Sequence, residues 1–385
     1  MHQDRLSRSE ALSLLRGAPL LELMKAADAQ RRARFPGNEV TFVFDTNPNY
    51  TNVCVTRCTF CSFYRPPGDA GGYVLSPAEV AEKAAHAQAR GATTILLQGG
   101  HHPSLGLDYY LDLIAAIQQG APGLHLHLFS PAEIDHLAGI SGESCRKVLQ
   151  RFWDAGLRTM PGGGAEILVE RVRRKISPKK ISGQVWLDIM RTAHGIGMKT
   201  TATMTYGHIE TEEEIIDHLV MLRELQDETA GFLAFIPWSF KPGSSPLSQL
   251  RREAELPSYY LRIIAISRLV LDNIPHIQAS WFGEGVRAGQ LALHAGADDF
   301  GGVLLEENVL FQARHRIASH VENVKQMILD AEMTPVQRTT LYEKILEKPV
   351  IQTVTPAEVH QRRPGQESHL PSPSTMTRHP CIKSA

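Results

Sequence analysis

Thr94-Ile95-Leu96-Leu97-Gln98-Gly99-Gly100-His101-His102-Pro103 is a short apolar run that breaks into two glycines, two histidines and a proline. It reads as a buried strand followed by the turn that ends it. The pattern recurs along the chain, with β-type runs at residues 40–44, 94–97, 124–129, 157–160, 200–206, 232–237 and 277–281. From residue 94 onward these runs start 30, 33, 43, 32 and 45 residues apart, room for one strand, one helix and two loops each time. Repeated βα units predict a parallel sheet, because parallel neighbours need crossover connections. Polar and glycine-rich residues fall just after the strand ends in several successive units. A βα barrel spreads its site that way, whereas an open sheet gathers it at one switch point. The expected fold is α/β: a TIM-like (β/α) barrel, complete or nearly so, with N-terminal helices.

Helix starts are marked by their chemistry. Ser7-Arg8-Ser9-Glu10, Ser76-Pro77-Ala78-Glu79, Ser130-Pro131-Ala132-Glu133 and Thr211-Glu212-Glu213-Glu214 are capping boxes, two of them with proline at the first helical position. Thr334-Pro335-Val336-Gln337 predicts a late helix in the same way. Residues 6–35 read as two short helices. The expected organisation is a helical segment over 1–39, a barrel domain with C-terminal helices over 40–352, and a disordered tail over 353–385. In that tail Arg362-Arg363-Pro364-Gly365 and Pro371-Ser372-Pro373-Ser374 leave few apolar residues and no period.

Composition narrows the function. The 385 residues carry 40 Lys and Arg against 41 Asp and Glu, a net charge of −1, which gives no reason to expect nucleic acid or an anionic membrane as partner. No apolar run reaches the ~18–20 residues of a membrane span, and the most apolar helical stretch contains Arg262 and Arg268. The N-terminus enters an amphipathic helix without an apolar leader, so no secretory signal is expected. Five cysteines, three of them within eight residues, suit a disulfide framework poorly. The expected location is the cytoplasm.

Those three cysteines stand in Asn49-Tyr50-Thr51-Asn52-Val53-Cys54-Val55-Thr56-Arg57-Cys58-Thr59-Phe60-Cys61-Ser62-Phe63-Tyr64, a C-x3-C-x2-C spacing on a loop. Three soft thiolates suit an iron–sulfur cluster or zinc. A structural zinc site wants four ligands, commonly from two paired motifs, and no second pair exists: Cys145 falls in a helical pattern and Cys381 in the tail. A Cys58-x-x-Cys61 redox pair is the other rival, although that motif carries no additional cysteine four residues upstream. Three ligands on a cubane leave one iron open, which favours catalysis over plain electron transfer.

With Phe60 at the aromatic position, this motif resembles the cluster loop of the radical S-adenosylmethionine superfamily. The resemblance implies that Cys54, Cys58 and Cys61 hold a [4Fe-4S] cluster. Its open iron would chelate S-adenosyl-L-methionine, and reductive cleavage would give a 5′-deoxyadenosyl radical on a full or partial barrel. It also implies that Phe60, Gln98, Gly99, Gly100, Ser130 and Glu166 surround that cofactor, the glycine pair holding its methionine amino group. Seen alone, the same glycines are a tight βα turn.

Met160-Pro161-Gly162-Gly163-Gly164-Ala165-Glu166 lacks the Gly-Lys-Ser/Thr ending of a phosphate loop. Glu166 is either a ligand-facing acceptor, towards ribose or substrate by the resemblance, or an acid on a helix dipole. His208, in Tyr206-Gly207-His208-Ile209-Glu210, is either a base or a structural ring. His125 and His127 alternate along one strand and face the same way, opposite Leu124, Leu126 and Leu128.

Residues 40–345 are similar to one branch of the superfamily, the cyclic dehypoxanthinyl futalosine synthases of menaquinone biosynthesis. The phrases that carry this include Gly72-Tyr73-Val74-Leu75-Ser76, Phe129-Ser130-Pro131, Leu271-Asp272-Asn273-Ile274-Pro275 and Gln278-Ala279-Ser280-Trp281. The similarity implies dehypoxanthine futalosine as substrate and abstraction of its ribose C4′ hydrogen. The carbon radical then adds to the aromatic ring, and one electron and one proton are lost. His208 or Tyr206 is expected to take the proton, and flavodoxin or ferredoxin to donate electrons. Aminofutalosine synthase and the deazaflavin synthase subunit share cluster and barrel and are the near alternatives; a non-catalytic iron–sulfur or zinc protein is the remote one.

Overall fold

The structure is a computed structural model that describes residues 5–249, 255–313 and 320–345. Its strands are β1 (Glu39–Val43), β2 (Asp45–Thr46), β3 (Thr94–Leu97), β4 (His125–Leu128), β5 (Thr159–Met160), β6 (Lys199–Tyr206), β7 (Phe232–Ser239), β8 (His276–Ile277), β9 (Asp299–Gly302) and β10 (Thr334–Gln337). A seven-stranded parallel sheet runs in the order β2-β3-β4-β5-β6-β7-β8, and a three-stranded one in the order β10-β1-β9.

Two junctions join these sheets into a barrel. On one side β1 runs into β2 through Phe44. On the other, Gln278 just past β8 bridges Asp299 in β9, where Ala279 N donates to Asp299 O at 2.7 Å and Asp298 N to Ile277 O at 3.1 Å. The continuous β1–β2 stave and the seven from β3 to β9 therefore close the ring that the repeated βα rhythm predicts.

Strand alternation divides the side chains into two populations. One set, with Ile95, Leu97, Leu126, Leu128, Ala202 and Met204, is buried with helix residues such as Leu113, Ile114, Leu137, Trp186 and Leu219 in the main core. The other set, including Thr94, His127, Thr201 and Thr203, faces the barrel interior. The interior thus mixes polar groups with Val43, Leu96, Ile236, Trp238 and Leu304, while the annulus outside it is apolar. The expected capping boxes form at Ser7/Glu10, Ser76/Glu79, Ser130/Glu133 and Thr211/Glu214. Helices Arg8–Gly17 and Leu20–Arg34 pack outside the barrel on helices Glu212–Thr229 and Pro257–Val270. Arg262 ties them down by donating to Ala18 O at 2.8 Å and Leu15 O at 3.2 Å.

The helix expected at 334–337 is strand β10 instead. The cap signature is there, but Arg338-Thr339-Thr340 follows it directly, and Val336 with Thr334, Thr339 and Thr340 suits extended chain. The edge of β1 supplies a ladder, pairing Glu39 with Thr334 and Phe42 with Gln337. The chain then turns inward: Arg338 N donates to Phe42 O at 2.9 Å, and Thr340 Oγ1 lies 2.8 Å from Thr94 Oγ1. The tail expected from residue 353 lies outside the described residues.

Candidate active site

The cysteine loop follows β2 and is held by backbone bonds on several sides. Cys54 N donates to Arg65 O at 2.9 Å, Val55 N to His101 O at 3.0 Å, Gly100 N to Thr51 O at 2.9 Å and Thr59 N to Ile176 O at 2.8 Å. The turn after β3 must come this close, which is why it is glycine. A Cβ on Gly99 would sit 2.5 Å from the Tyr50 ring, and one on Gly100 would collide with the Val53 carbonyl.

Cys54, Cys58 and Cys61 line one cavity of about 230 Å³ together with Phe60, Gln98, Gly99, Gly100 and Ser130. All but one of the residues expected around the cofactor are therefore in one place. Burial pushes the Cys58 thiol up to about 12 and raises that of Cys61. Those two thiols hold their protons until a metal displaces them.

Glu166 is the exception. It stands behind the cavity, its Oε1 3.1 Å from Lys180 Nζ and its Oε2 3.5 Å from Arg173. Lys180 itself lines the cavity, with Nζ 5.3 Å from the centroid of the Phe60 ring. Burial would lower the Lys180 ammonium, but Cys58 as a thiolate and the Glu166 carboxylate raise it instead. Glu166 is thus a counter-ion to two cations, one of which lines the cavity.

Tyr206 and His208, expected to take the proton, line neither this cavity nor the barrel interior. Thr201 and Thr203 point inward, so Tyr206 has the outward parity on β6 and packs 6.0 Å from the ring of Tyr259. Burial pushes its hydroxyl well up, which disqualifies it as a base at neutral pH. His208 is buried with both ring nitrogens engaged: Nε2 donates to Thr205 O at 3.0 Å, and Nδ1 lies 2.7 Å from Glu210 Oε2.

Several lining residues escaped the sequence reading. Glu133 was legible only as a cap. Its Oε2 accepts Ser130 N at 2.8 Å, while Oε1 accepts Gly99 N at 3.0 Å and Tyr50 Oη at 2.8 Å. Asn49 Nδ2 donates to Gln98 O at 2.9 Å, which leaves its buried Oδ1 without a partner.

A second cavity of about 140 Å³ occupies the barrel interior and is lined by Asp45, Thr94, His127, Thr201, Gln278 and others. Arg338, Thr340 and Tyr342 form its floor. Arg338 holds Asp299 at two points, 2.5 and 3.0 Å, and its guanidinium carbon lies 3.8 Å from the Tyr342 ring centroid. Gln98, Gly163 and Trp238 line both cavities, so the two share a wall.

Three cysteines at the C-terminal ends of barrel strands, beside a cavity in the barrel interior, are the arrangement of a barrel enzyme of the radical type. The radical SAM superfamily profile matches residues 48–222, and that of the CofH/MqnC C-terminal region matches 229–350. A cyclic dehypoxanthine futalosine synthase of Streptomyces coelicolor is 45% identical over 345 residues, 89% of this chain and 86% of that one. A 5-amino-6-(D-ribitylamino)uracil–L-tyrosine 4-hydroxyphenyl transferase of Methanopyrus kandleri is 42% identical over 84% of this chain and 89% of that one. The solved structure of methylornithine synthase (PylB) shares the fold, with a TM-score of 0.70 at 19% identity over 86% of this chain and 95% of that one. The chain belongs to the radical SAM superfamily, in the branch that carries the CofH/MqnC C-terminal region.

The cofactors of this family are a [4Fe-4S] cluster and S-adenosyl-L-methionine, and the residues present fit both. Three soft sulfur donors share a buried wall. The unpartnered Asn49 Oδ1 offers an acceptor beside the glycine turn. Among the described residues no helix is long and apolar enough to cross a membrane.

Proposed function

We propose that this enzyme cyclises dehypoxanthine futalosine to cyclic dehypoxanthinylfutalosinate, a step of menaquinone biosynthesis. The observation that carries this reading is the 45% identity over 345 residues to the Streptomyces synthase. The two adjoining cavities support it, because one can hold the cofactors while the barrel interior takes the substrate ribose and benzoate.

In this reading Cys54, Cys58 and Cys61 hold the cluster as thiolates, and Gln98, Gly99, Gly100, Ser130 and Phe60 border S-adenosyl-L-methionine. Together these groups supply a 5′-deoxyadenosyl radical when an external donor such as flavodoxin or ferredoxin provides the electron. Glu133 fixes the Gly99–Gly100 turn, and Glu166 fixes Lys180 beside Phe60. The shared wall of Gln98, Gly163 and Trp238 sets the approach of ribose C4′ to the radical carbon, and that orientation supplies much of the rate. The floor of Arg338, Thr340 and Tyr342 shuts out water that would bring competing reactions.

The test is an anaerobic incubation of reduced, cluster-loaded protein with S-adenosyl-L-methionine and substrate deuterated at C4′. Mass spectrometry should find the cyclised product and the deuterium in 5′-deoxyadenosine. The rival reading follows from the 42% identity to the archaeal transferase. Turnover of 5-amino-6-(D-ribitylamino)uracil with tyrosine, and none of the futalosine, would establish it and overturn ours.

A further inference from the structure

Among the described residues, the ionisable side chains lining the barrel cavity are Asp45, His127, Arg338 and Tyr342. Three of them do not accept a proton at neutral pH. Arg338 is a cation locked on Asp299. Burial pushes the Tyr342 hydroxyl well up.

The case of His127 follows from its hydrogen bonds. Thr159 Oγ1 gives its single hydrogen to Leu126 O at 3.1 Å, so it accepts from His127 Nδ1 and His125 Nε2, each at 2.8 Å. His127 Nε2 is therefore bare. Burial, with His125 and Arg338 nearby, pulls this imidazole down to about 3. It can accept a hydrogen bond but does not hold a proton.

Asp45 remains. It sits at the start of β2 on the cavity wall, where Leu304 N donates to its Oδ1 at 2.9 Å. Burial raises its carboxyl to about 6, against the pull of the Leu304 N–H and of Arg338, while Asp299 on β9 adds to the rise. A carboxylate with its pKa this near the working pH is tuned to take a proton and give it up again.

Resting on the cyclisation reading above, we propose that Asp45 is the proton acceptor that restores the aromatic ring. When the C4′ radical bonds to a ring carbon, that carbon becomes tetrahedral with its hydrogen still attached, and the unpaired electron spreads over the ring. Breaking this C–H bond sends the proton to the Asp45 carboxylate and returns the bonding pair to the ring. The surplus single electron leaves to a one-electron iron–sulfur acceptor.

The experiment compares cluster-loaded wild type, Asp45→Asn and Asp45→Glu for iron content, melting temperature, substrate affinity, 5′-deoxyadenosine and cyclised product. Asparagine keeps the acceptor for Leu304 N, so the fold and the affinity should hold. Asp45→Asn should still form deuterated 5′-deoxyadenosine, yet lose cyclised product by about 100-fold or more. The wild-type kcat should fall with acid near pH 6, and this limb should vanish from the residual activity of Asp45→Asn. Cyclisation by Asp45→Asn within about threefold of wild type, or a deficit explained by weaker substrate binding alone, overturns the role. If Asp45→Asn loses iron or its melting transition, Asp45→Glu decides, because its acid limb must move from that of wild type and an unmoved limb overturns the role. A wild type that yields no cyclised product overturns the reaction assignment itself and this inference with it, whereas equal cyclisation by both proteins removes only Asp45.

Discussion

Gly99 N donates to Glu133 Oε1 at 3.0 Å, so the acid that caps the helix after β4 also holds the turn that ends β3. One carboxylate therefore links two neighbouring βα loops under the cofactor cavity. Burial pushes its acid upward even though Ser130, Tyr50 and the two backbone N–H groups all favour the charged form. Glu133→Ala would strand the buried Gly99 and Ser130 N–H groups and the Tyr50 hydroxyl. We expect a loss of about 2–4 kcal/mol of stability and weaker binding of S-adenosyl-L-methionine. Urea denaturation and equilibrium dialysis check both, and Glu133→Gln should fall in between.

Replacing Cys54, Cys58 or Cys61 by alanine should abolish the cluster, whereas Cys145→Ala should keep it. Cys145 begins the helix Cys145–Asp154, away from the cavity wall that holds the other three. Iron analysis and electron paramagnetic resonance of the reduced protein read the result. A Cys145→Ala protein without iron beside a Cys54→Ala protein with it would reverse the assignment.

Gly100→Ala forces a methyl group into the Val53 carbonyl. That carbonyl belongs to the residue before Cys54, so relief of the clash must move the cysteine loop. The expected outcome is a destabilisation of about 1–3 kcal/mol together with incomplete cluster loading. Full iron content at the wild-type melting temperature would show that the loop yields without cost.

His208 and Glu210 give a pH signature apart from catalysis. Burial would raise the Glu210 carboxyl, but the His208 ring and the Gly207 N–H hold it down at about 2. A carboxyl lowered on folding stabilises the protein above its unfolded value and loses that contribution as pH falls through the folded one. The window runs from its ordinary 4.5 down to about 2, and the contribution is on the order of 3 kcal/mol. Glu210→Gln should flatten the acid limb of the stability curve in that window while leaving product chemistry in place. Chemical denaturation at a series of pH values measures it.

The legible parts of this molecule were those written in consecutive residues. The Cys54, Cys58 and Cys61 spacing, the Gly99–Gly100 turn and the capping boxes each lie within a few positions, so pattern and cause coincide. Glu133 was half-legible, because its capping role is local while its bond to Gly99 spans two strands. Asp45 and Arg338 left no mark in the sequence, for they meet only when a barrel brings distant strands round one axis. Tyr206 and His208 show the reverse failure. Both follow a strand end in sequence, but strand parity turns one outward, and neighbouring backbone and Glu210 occupy the other. At 334–337 a helix-start signature lost to the edge of β1.

The floor under the barrel has a consequence for assembly. Arg338, Thr340 and Tyr342 are made long after the cysteine loop, since a chain leaves the ribosome from its N-terminus. The ring closes only when β9 brings Asp299 beside Gln278, and the base follows β9 in the chain, so the nascent barrel passes through a stage as a tube without a base, its chamber still open to water. Arg338 on Asp299 lays down that base, so a chain stopped short of it would carry the cysteines of a radical generator in a barrel with no floor to contain the radical.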